Sequence, residues 1–226
     1  MDASMEWDAA LESKSAGGTA HGASRRGAEP PKPANPETAE KKKTPVPPTL
    51  RLLLQQRVIL IAKQVDRGLM EKTCAALLML DGRSKERPIT VFVNSPGGDA
   101  DSGFAIYDVM KYVRAPIRTI CAGLAASAGI PIFLGGRKGT RFSLPNSRFL
   151  IHQPSMQAMG SASDLEITST EIERVREKYN RIIERETGKA ATKVKADAMR
   201  DFWLTAEEAV KYGLVDRIVE NAAQVD

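Results

Sequence analysis

The sequence predicts an α/β fold in which βαβ units are arranged around a largely parallel sheet. From residue 50 onwards, short apolar runs alternate with amphipathic segments, and the links between them are short. Parallel neighbouring strands need a crossover connection, usually a helix, so this alternation is typical of such a sheet. A chain of ~150 residues buries roughly 68–70% of its unfolded surface, so the region from residue 50 to residue 226 is long enough for one hydrophobic core.

Eight elements are predicted up to residue 152 from their hydrophobic pattern. Continuous apolar runs such as RVILIA and ITVFVN predict buried strands, whereas longer amphipathic runs such as MEKTCAALLMLD predict helices. In that helix we expect the apolar side to hold Cys74, Leu77, Leu78 and Leu80. In chain order the elements are a helix over 49–56, a strand over 57–62, a helix over 70–81, a strand over 89–94, a helix over 102–113, a strand over 117–123, a helix over 126–135 and a strand over 148–152.

A long helix is predicted from about Asp164 to Glu186, after the core-poor stretch QPSMQAMGSAS. The capping-box pattern Ser163-x-x-Glu166 marks its start and Gly188 its end. A helix of ~22 residues extends ~33 Å, which is longer than short strands need as a cover. We therefore expect it to project and to pack on another subunit. A second capping box, TAEE, opens a further helix, and VDRIVE (215–220) predicts the last strand.

Residues 1–49 differ in composition from the rest and predict a disordered N-terminal extension or a propeptide. They hold seven of the 13 prolines and almost no large apolar side chains, so they cannot bury enough surface to offset the entropy of ordering. Their seven acids balance their seven bases, which places the net charge of +5 on the remainder. There the bases are scattered among acids and aromatics are few, so no nucleic-acid surface is predicted.

Several other classes of protein are excluded. Cys74 and Cys121 lie in apolar runs, which favours buried thiols in a reducing compartment over a disulfide framework. The chain has two histidines, no Cys-x-x-Cys spacing and no glycine-rich nucleotide motif, so neither a metal nor an organic cofactor is expected. The longest apolar runs are far shorter than a bilayer requires, and the N-terminus lacks a secretory signal pattern. We expect no membrane partner and a cytoplasmic location.

Three short stretches near predicted strand ends carry residues that a reaction could use. His152 ends a predicted strand, and sites in open α/β sheets assemble at such ends. Ser127 lies among small residues at a strand-to-helix junction, in a loose relative of the nucleophile elbow. The turn Asn94–Gly98 contains two glycines that leave backbone N–H groups unobstructed. Taken singly, each has a plain structural interpretation as a core histidine, a helix start or an ordinary turn.

Four strings, in this order, together resemble a known family: N-S-P-G-G, A-A-S-A-G, L-P-N-S-R-F-L-I-H-Q-P and A-x-E-A-V-x-Y-G-L-V-D. From about Arg57 to Val219 the chain is similar to the Clp protease proteolytic subunit (ClpP), a self-compartmentalised serine peptidase with the ClpP/crotonase fold. Residues 50–226 are then the peptidase domain, with a protruding helix-strand handle. Crotonase-like enzymes share the sheet and a glycine-rich oxyanion arrangement, but not these strings together.

The resemblance implies a Ser-His-Asp triad and an oxyanion hole. The family's nucleophile falls on Ser127, its general base on His152 and its acid on Asp201, and the oxyanion donors fall on the backbone N–H groups of Gly98 and Ala128. Two further carboxylates, Asp197 and Asp164, also follow His152 in the chain and are alternatives for the acid. No metal or organic cofactor takes part.

The resemblance also implies an assembly. Family members form seven-membered rings that stack face to face into a tetradecamer, homomeric or mixed with paralogous subunits, and enclose the active sites. Protein and peptide substrates are supplied by a Clp-family AAA+ unfoldase ATPase, which would carry out the ATP hydrolysis.

Three departures from the family pattern leave alternatives open. The Pro/Lys-rich extension replaces the family's N-terminal pore loop, Ala128 stands where Met is common, and the stretch 155–160 is poor in glycine. The chain is therefore either an active serine endopeptidase or a non-proteolytic structural subunit of a mixed ring. A crotonase-like acyl-CoA enzyme is a third reading that rests on fold alone.

Overall fold

A computed structural model describes residues 48–155 and 159–225 of the chain. Residues 1–47, the bulk of the predicted N-terminal extension, lie outside them. The elements are α1 (Pro48–Gln55), β1 (Val58–Ile61), α2 (Arg67–Arg83), β2 (Ile89–Ser95), α3 (Ala100–Tyr112), β3 (Ile117–Ala126), α4 (Gly129–Leu134), β4 (Arg141–Ser143), β5 (Arg148–Ile151), α5 (Ala162–Thr187), α6 (Ala191–Asp197), β6 (Phe202–Thr205), α7 (Ala206–Tyr212), β7 (Arg217–Ile218) and a 3₁₀ turn (Ala222–Gln224).

The strands form one sheet whose main path is β1-β2-β3-β4-β7, and all pairs along this path are parallel. The first half of β3 pairs with β4, whereas its last residues, Leu124–Ala126, pair in parallel with β5. β5 in turn pairs with β6 in the antiparallel sense. The predicted α/β fold with a largely parallel sheet is confirmed.

The core lies on one side of this sheet. In β2 the residues Ile89, Val91, Val93 and Ser95 are buried, while those between them are partly or fully exposed. Helices α2, α3 and α4 pack with this buried face in one large cluster, to which Phe133 and Phe149 contribute an edge-to-face pair. Alternate residues of a strand point to opposite faces, so the other face is only partly covered by a small cluster around Ile120, Phe142 and Val219.

Both cysteines are free thiols. Cys121 is fully buried in β3, as predicted, and burial raises the pKa of its thiol to about 12. Cys74 is only half-buried. Leu78, which the helical pattern places on the apolar side of α2, is 48% exposed. That prediction was wrong because the helix turns only Leu69, Thr73, Leu77 and Leu80 fully into the core.

The capping boxes give one correction and one confirmation. α5 begins two residues earlier than predicted, because Ser161 rather than Ser163 is its N-cap and Asp164 rather than Glu166 completes the box. The helix has 26 residues and ends at Gly188, whose left-handed conformation is that of a C-cap glycine. The box formed by Thr205 and Glu208 at the start of α7 is as predicted.

The stretch before α5 is described except for residues 156–158, and its described residues form no strand. The strand of the predicted handle therefore falls partly outside the described residues. Among residues 48–155 and 159–225, none of the helices combines the length and apolarity that crossing a bilayer requires.

A buried ionic cluster holds the C-terminal end of α5 against the core. The Arg141 side chain is 1% exposed and donates to a Glu186 carboxylate oxygen and to the Glu186 carbonyl. Tyr107 also donates to this carboxylate, and Lys111 forms an ion pair with it at 3.1 Å. The cluster joins β4, α3 and α5, three elements that are distant in the chain.

Candidate active site

Ser127 lies between β3 and α4 in a backbone conformation that non-glycine residues rarely adopt. Its φ of 52° is in the left-handed region. Its N–H donates to the Leu150 carbonyl at 3.0 Å and its carbonyl accepts from the Ile130 N–H at 2.9 Å, so β5 and α4 fix the turn from both sides. Such strain at a strand-to-helix turn is typical of a functional residue.

His152 and Asp201 are brought together by strand pairing. His152 follows β5 directly, Asp201 directly precedes β6, and the antiparallel register Ile151↔Phe202 makes them the next pair along the ribbon. The distance from His152 Nδ1 to Asp201 Oδ1 is 3.4 Å. The imidazole side chain is 28% exposed and the carboxylate side chain 66% exposed. The pair is therefore accessible from solvent in the single chain.

The other two candidate carboxylates have different partners. Asp197 accepts from Lys193 and from the Tyr212 hydroxyl, which lies 2.9 Å away. Asp164 caps α5. Of the three carboxylates left open by the sequence, Asp201 is the one that the fold places beside His152.

The loop Gly97–Gly98 runs alongside Ser127 and requires glycine at both positions. Their φ values are +89° and +144°. A Cβ on Gly97 would lie 2.6 Å from the Ser127 Cβ, and a Cβ on Gly98 would lie 2.2 Å from the Val65 carbonyl oxygen. Neither separation is possible without a backbone shift, so the glycines allow this loop to approach the serine.

Two backbone N–H groups beside Ser127 are left free for a ligand. The Val65 N–H donates to the Gly97 carbonyl, and the Val65 carbonyl accepts from the Asp99 N–H. Because successive peptide groups of an extended chain point to opposite sides, the Gly98 N–H points away from Val65. Ala128 is the N-cap of α4, where N–H groups have no intrahelical acceptor. Neither N–H has an acceptor within residues 48–155 and 159–225, and both residues line the same cleft.

This cleft has a volume of about 590 Å³ and contains Ser127 and His152. Part of its wall is apolar and is formed by Phe104, Ile172, Val175 and Tyr179. The Tyr179 hydroxyl donates to the Ser127 carbonyl at 3.4 Å. Burial raises the pKa of Tyr179, although a hydrogen bond from the His152 backbone opposes the rise. The hydroxyl thus contacts the backbone of both turns that carry Ser127 and His152.

Sequence reasoning did not single out Tyr179 or β6. A tyrosine in a long amphipathic helix has the pattern of an ordinary core residue, and no local signal links it to residues 27 and 52 positions earlier. The described part of the chain contains no group of three or more His, Cys, Asp or Glu side chains placed to hold a metal ion.

Comparison with known proteins gives a consistent result. The family described as Clp protease matches residues 42–222. The chain is 42% identical over 176 residues to ATP-dependent Clp protease proteolytic subunit 2 of Treponema denticola. The aligned residues cover 78% of this chain and 88% of that protein. It is 43% identical over 172 residues to the protein of the same name from Treponema pallidum, covering 76% of this chain and 86% of that one.

A solved structure, of a ClpP1 mutant from Listeria monocytogenes, matches with a TM-score of 0.73 and 38% identity. The match covers 79% of this chain and 99% of that structure. The agreement therefore extends across sequence and fold and includes the elements that carry Ser127, His152 and Asp201. By this likeness the chain belongs to the Clp protease family of serine-type endopeptidases.

Proposed function

We propose that this chain is the proteolytic subunit of an ATP-dependent protease and that Ser127, His152 and Asp201 are its catalytic triad. The Ser127 hydroxyl attacks the peptide carbonyl, and His152 accepts its proton and then donates it to the leaving amine. Asp201 orients the imidazole and stabilises its charged form. Water then releases the acyl group by the same steps.

The oxyanion that forms on the substrate carbonyl is stabilised by the N–H groups of Gly98 and Ala128. Both are backbone donors held in place by the fold, so they need no reorganisation when charge develops. The left-handed turn at Ser127 supports this role, because it places the N–H of the following residue next to the nucleophile.

The subunit acts inside an oligomeric chamber of stacked heptameric rings in the cytoplasm. α5 supports this proposal: its N-terminal half is exposed in the single chain, including Leu165 at 42% and Ile167 at 64%. The exposed half of this long helix is therefore available to pack on another subunit. A Clp-family AAA+ ATPase would unfold substrates and deliver them, and ATP hydrolysis belongs to that partner.

The observation that carries the proposal is the convergence of a strained serine, a paired histidine and two free N–H groups in one cleft. The test is cleavage of a short fluorogenic peptide by the assembled chain, without an ATPase, beside a Ser127→Ala variant. Native mass measurement of both proteins shows whether the substitution leaves the assembly intact. Cleavage by the wild-type chain alone is expected.

Equal cleavage by the Ser127→Ala variant would overturn the assignment of the nucleophile. A fully assembled wild-type chain that cleaves no peptide would favour the alternative of a non-proteolytic structural subunit in a mixed ring. Tight binding of an acyl-CoA would instead favour a crotonase-like enzyme.

A further inference from the structure

The cleft is chemically divided, and its polar side is acidic. Besides the apolar residues contributed by α5, the loop after β2 and the first turn of α3 contribute Asp99 and Asp101 to the lining. Both side chains belong to exposed residues. Among the described lining residues, the other ionisable side chains are the His152 imidazole and the buried Tyr179 phenol.

These carboxylates lie without a cationic partner. Neither Asp99 nor Asp101 forms an ion pair within residues 48–155 and 159–225. Asp99 accepts a backbone hydrogen bond from Ser102 at 2.8 Å, which caps α3 but leaves the charge in place. Lys178 packs over the Phe104 ring at 5.1 Å and does not line the cleft. The acidic rim, Asp99 and Asp101, therefore presents negative charge to whatever occupies the cleft.

The rim is within reach of a bound substrate chain. Gly98, the proposed donor to the scissile carbonyl, is one residue from Asp99 and three residues from Asp101. Consecutive Cα atoms are about 3.8 Å apart, and an extended peptide advances about 3.3–3.6 Å per residue. A substrate side chain within about three positions of the scissile bond can thus approach one of the two carboxylates.

We propose that the acidic rim makes this site select peptide segments with a lysine or arginine within three residues of the cleaved bond. This inference rests on the proposed function of the cleft. The apolar wall binds one uncharged side chain of the substrate. The acidic rim attracts a cationic substrate side chain at a neighbouring position and repels an acidic one. Because both carboxylates are exposed, the preference is modest and sensitive to salt.

The test is a scan with fluorogenic peptides that share one apolar residue before the cleaved bond and carry Lys, Gln or Glu at each neighbouring position. We expect kcat/KM to be about 1.5- to fivefold higher for Lys than for Glu at one position, the range for exposed charge pairs. Raising the ionic strength from about 0.1 M to about 1 M shortens the Debye length from ~10 to ~3 Å and should reduce this ratio.

Matched variants locate the source of the preference. Asp99→Asn keeps a side chain that caps helices well, so folding should be unaffected, and Asp101→Asn removes only a surface charge. Both substitutions together should bring the Lys-to-Glu ratio close to one. Asp108→Asn is the control, since Asp108 is exposed on the same helix but does not line the cleft; it should keep the wild-type ratio.

The outcomes separate this proposal from the one on which it rests. Equal cleavage of all peptides by the wild-type chain would overturn the specificity and leave the protease function standing. A Lys preference that survives the double substitution would also overturn it, because the charge would come from elsewhere. If the assembled wild-type chain cleaves none of the peptides, both proposals fail.

Discussion

Two carboxylates, Glu186 near the end of α5 and Asp201 just before β6, are placed in contrasting surroundings. The Glu186 side chain is 7% exposed and is held by Arg141, Tyr107 and Lys111. The Asp201 side chain is 66% exposed and lies 3.4 Å from the His152 imidazole. The first carboxylate joins three secondary-structure elements, and the second lies where the pairing of β5 with β6 ends.

The difference shows how burial separates a structural carboxylate, Glu186, from the proposed catalytic one, Asp201. A buried charge is tolerated only when it is fully paired, and removing one partner leaves an uncompensated charge. An exposed pair contributes little to stability, so the proposed catalytic role of Asp201 and His152 places little demand on the stability of the fold. We therefore expect substitutions at the two sites to have opposite effects on activity and stability.

The largest effect is expected for Asp201→Asn. The amide cannot stabilise the charged imidazole, so turnover should fall on the order of 10⁴-fold while the thermal midpoint stays unchanged. Peptide cleavage and thermal unfolding measure the two quantities. Asp197→Asn is the control, because Asp197 pairs with Lys193 and Tyr212 instead. A larger loss of turnover in the control would identify Asp197 as the acid.

Glu186→Ala should show the reverse pattern. Arg141 would remain buried without its partner, and we expect the free energy of unfolding to fall by about 3–5 kcal/mol. Urea unfolding is the measurement. Glu177→Ala removes an exposed ion pair with Arg181 on the same helix and should cost less than about 1 kcal/mol. Equal losses in the two variants would contradict the contrast drawn between buried and exposed charges.

Acid should weaken the buried cluster specifically. Burial alone would raise the pKa of Glu186, but hydrogen bonds from Tyr107 and Arg141 and the charges of Arg141 and Lys111 lower it below its ordinary value of 4.5. A carboxylate with a lowered folded-state pKa stabilises the fold fully above its unfolded value, and the contribution is lost as pH falls through the folded value.

The free energy of unfolding should therefore decrease below about pH 4.5 in the wild-type chain. The decrease should be smaller in Glu186→Gln, whose side chain does not titrate. Urea unfolding of both proteins at several pH values compares the slopes. Identical slopes would show that Glu186 does not contribute to acid sensitivity.

The smallest effect is expected for Tyr179→Phe, which removes the hydroxyl contact with the Ser127 carbonyl. A typical hydrogen bond contributes about 0.5–1.5 kcal/mol, so kcat should fall roughly three- to tenfold with KM unchanged. Tyr212→Phe is matched, since its hydroxyl bonds to Asp197 and lies away from the cleft. A loss of kcat in Tyr212→Phe as large as in Tyr179→Phe would assign the effect to general destabilisation.

The sequence predicted the parts of the fold that local pattern determines. Strands β1, β2, β3 and β5 follow from continuous apolar runs, and their ends agree with the structure to within a few residues. The start of α5 was misplaced because Ser161 and Ser163 are each followed three residues later by an acid, so local chemistry permits both caps.

Features that depend on distant contacts were not predicted. β6 is four residues long and only Leu204 in it is fully buried, so its pairing with β5 leaves almost no pattern in the sequence. Arg141 is a charged residue, yet it is only 1% exposed. Its burial could not be predicted from local pattern because its partner Glu186 lies 45 positions away in the chain. For the site, the local strings indicated Ser127 and His152, and the resemblance indicated Asp201 with Asp197 and Asp164 as alternatives. The unpredicted pairing of β5 with β6 is what places Asp201, and not the other two, beside His152.

The most direct test of the account is reaction of the assembled chain with a fluorophosphonate probe, followed by peptide mass mapping. A single label on Ser127 is expected in the wild-type chain, strongly slowed labelling in His152→Ala and none in Ser127→Ala. Absence of label on Ser127 in a fully assembled wild-type chain, or label that persists in Ser127→Ala, would contradict it.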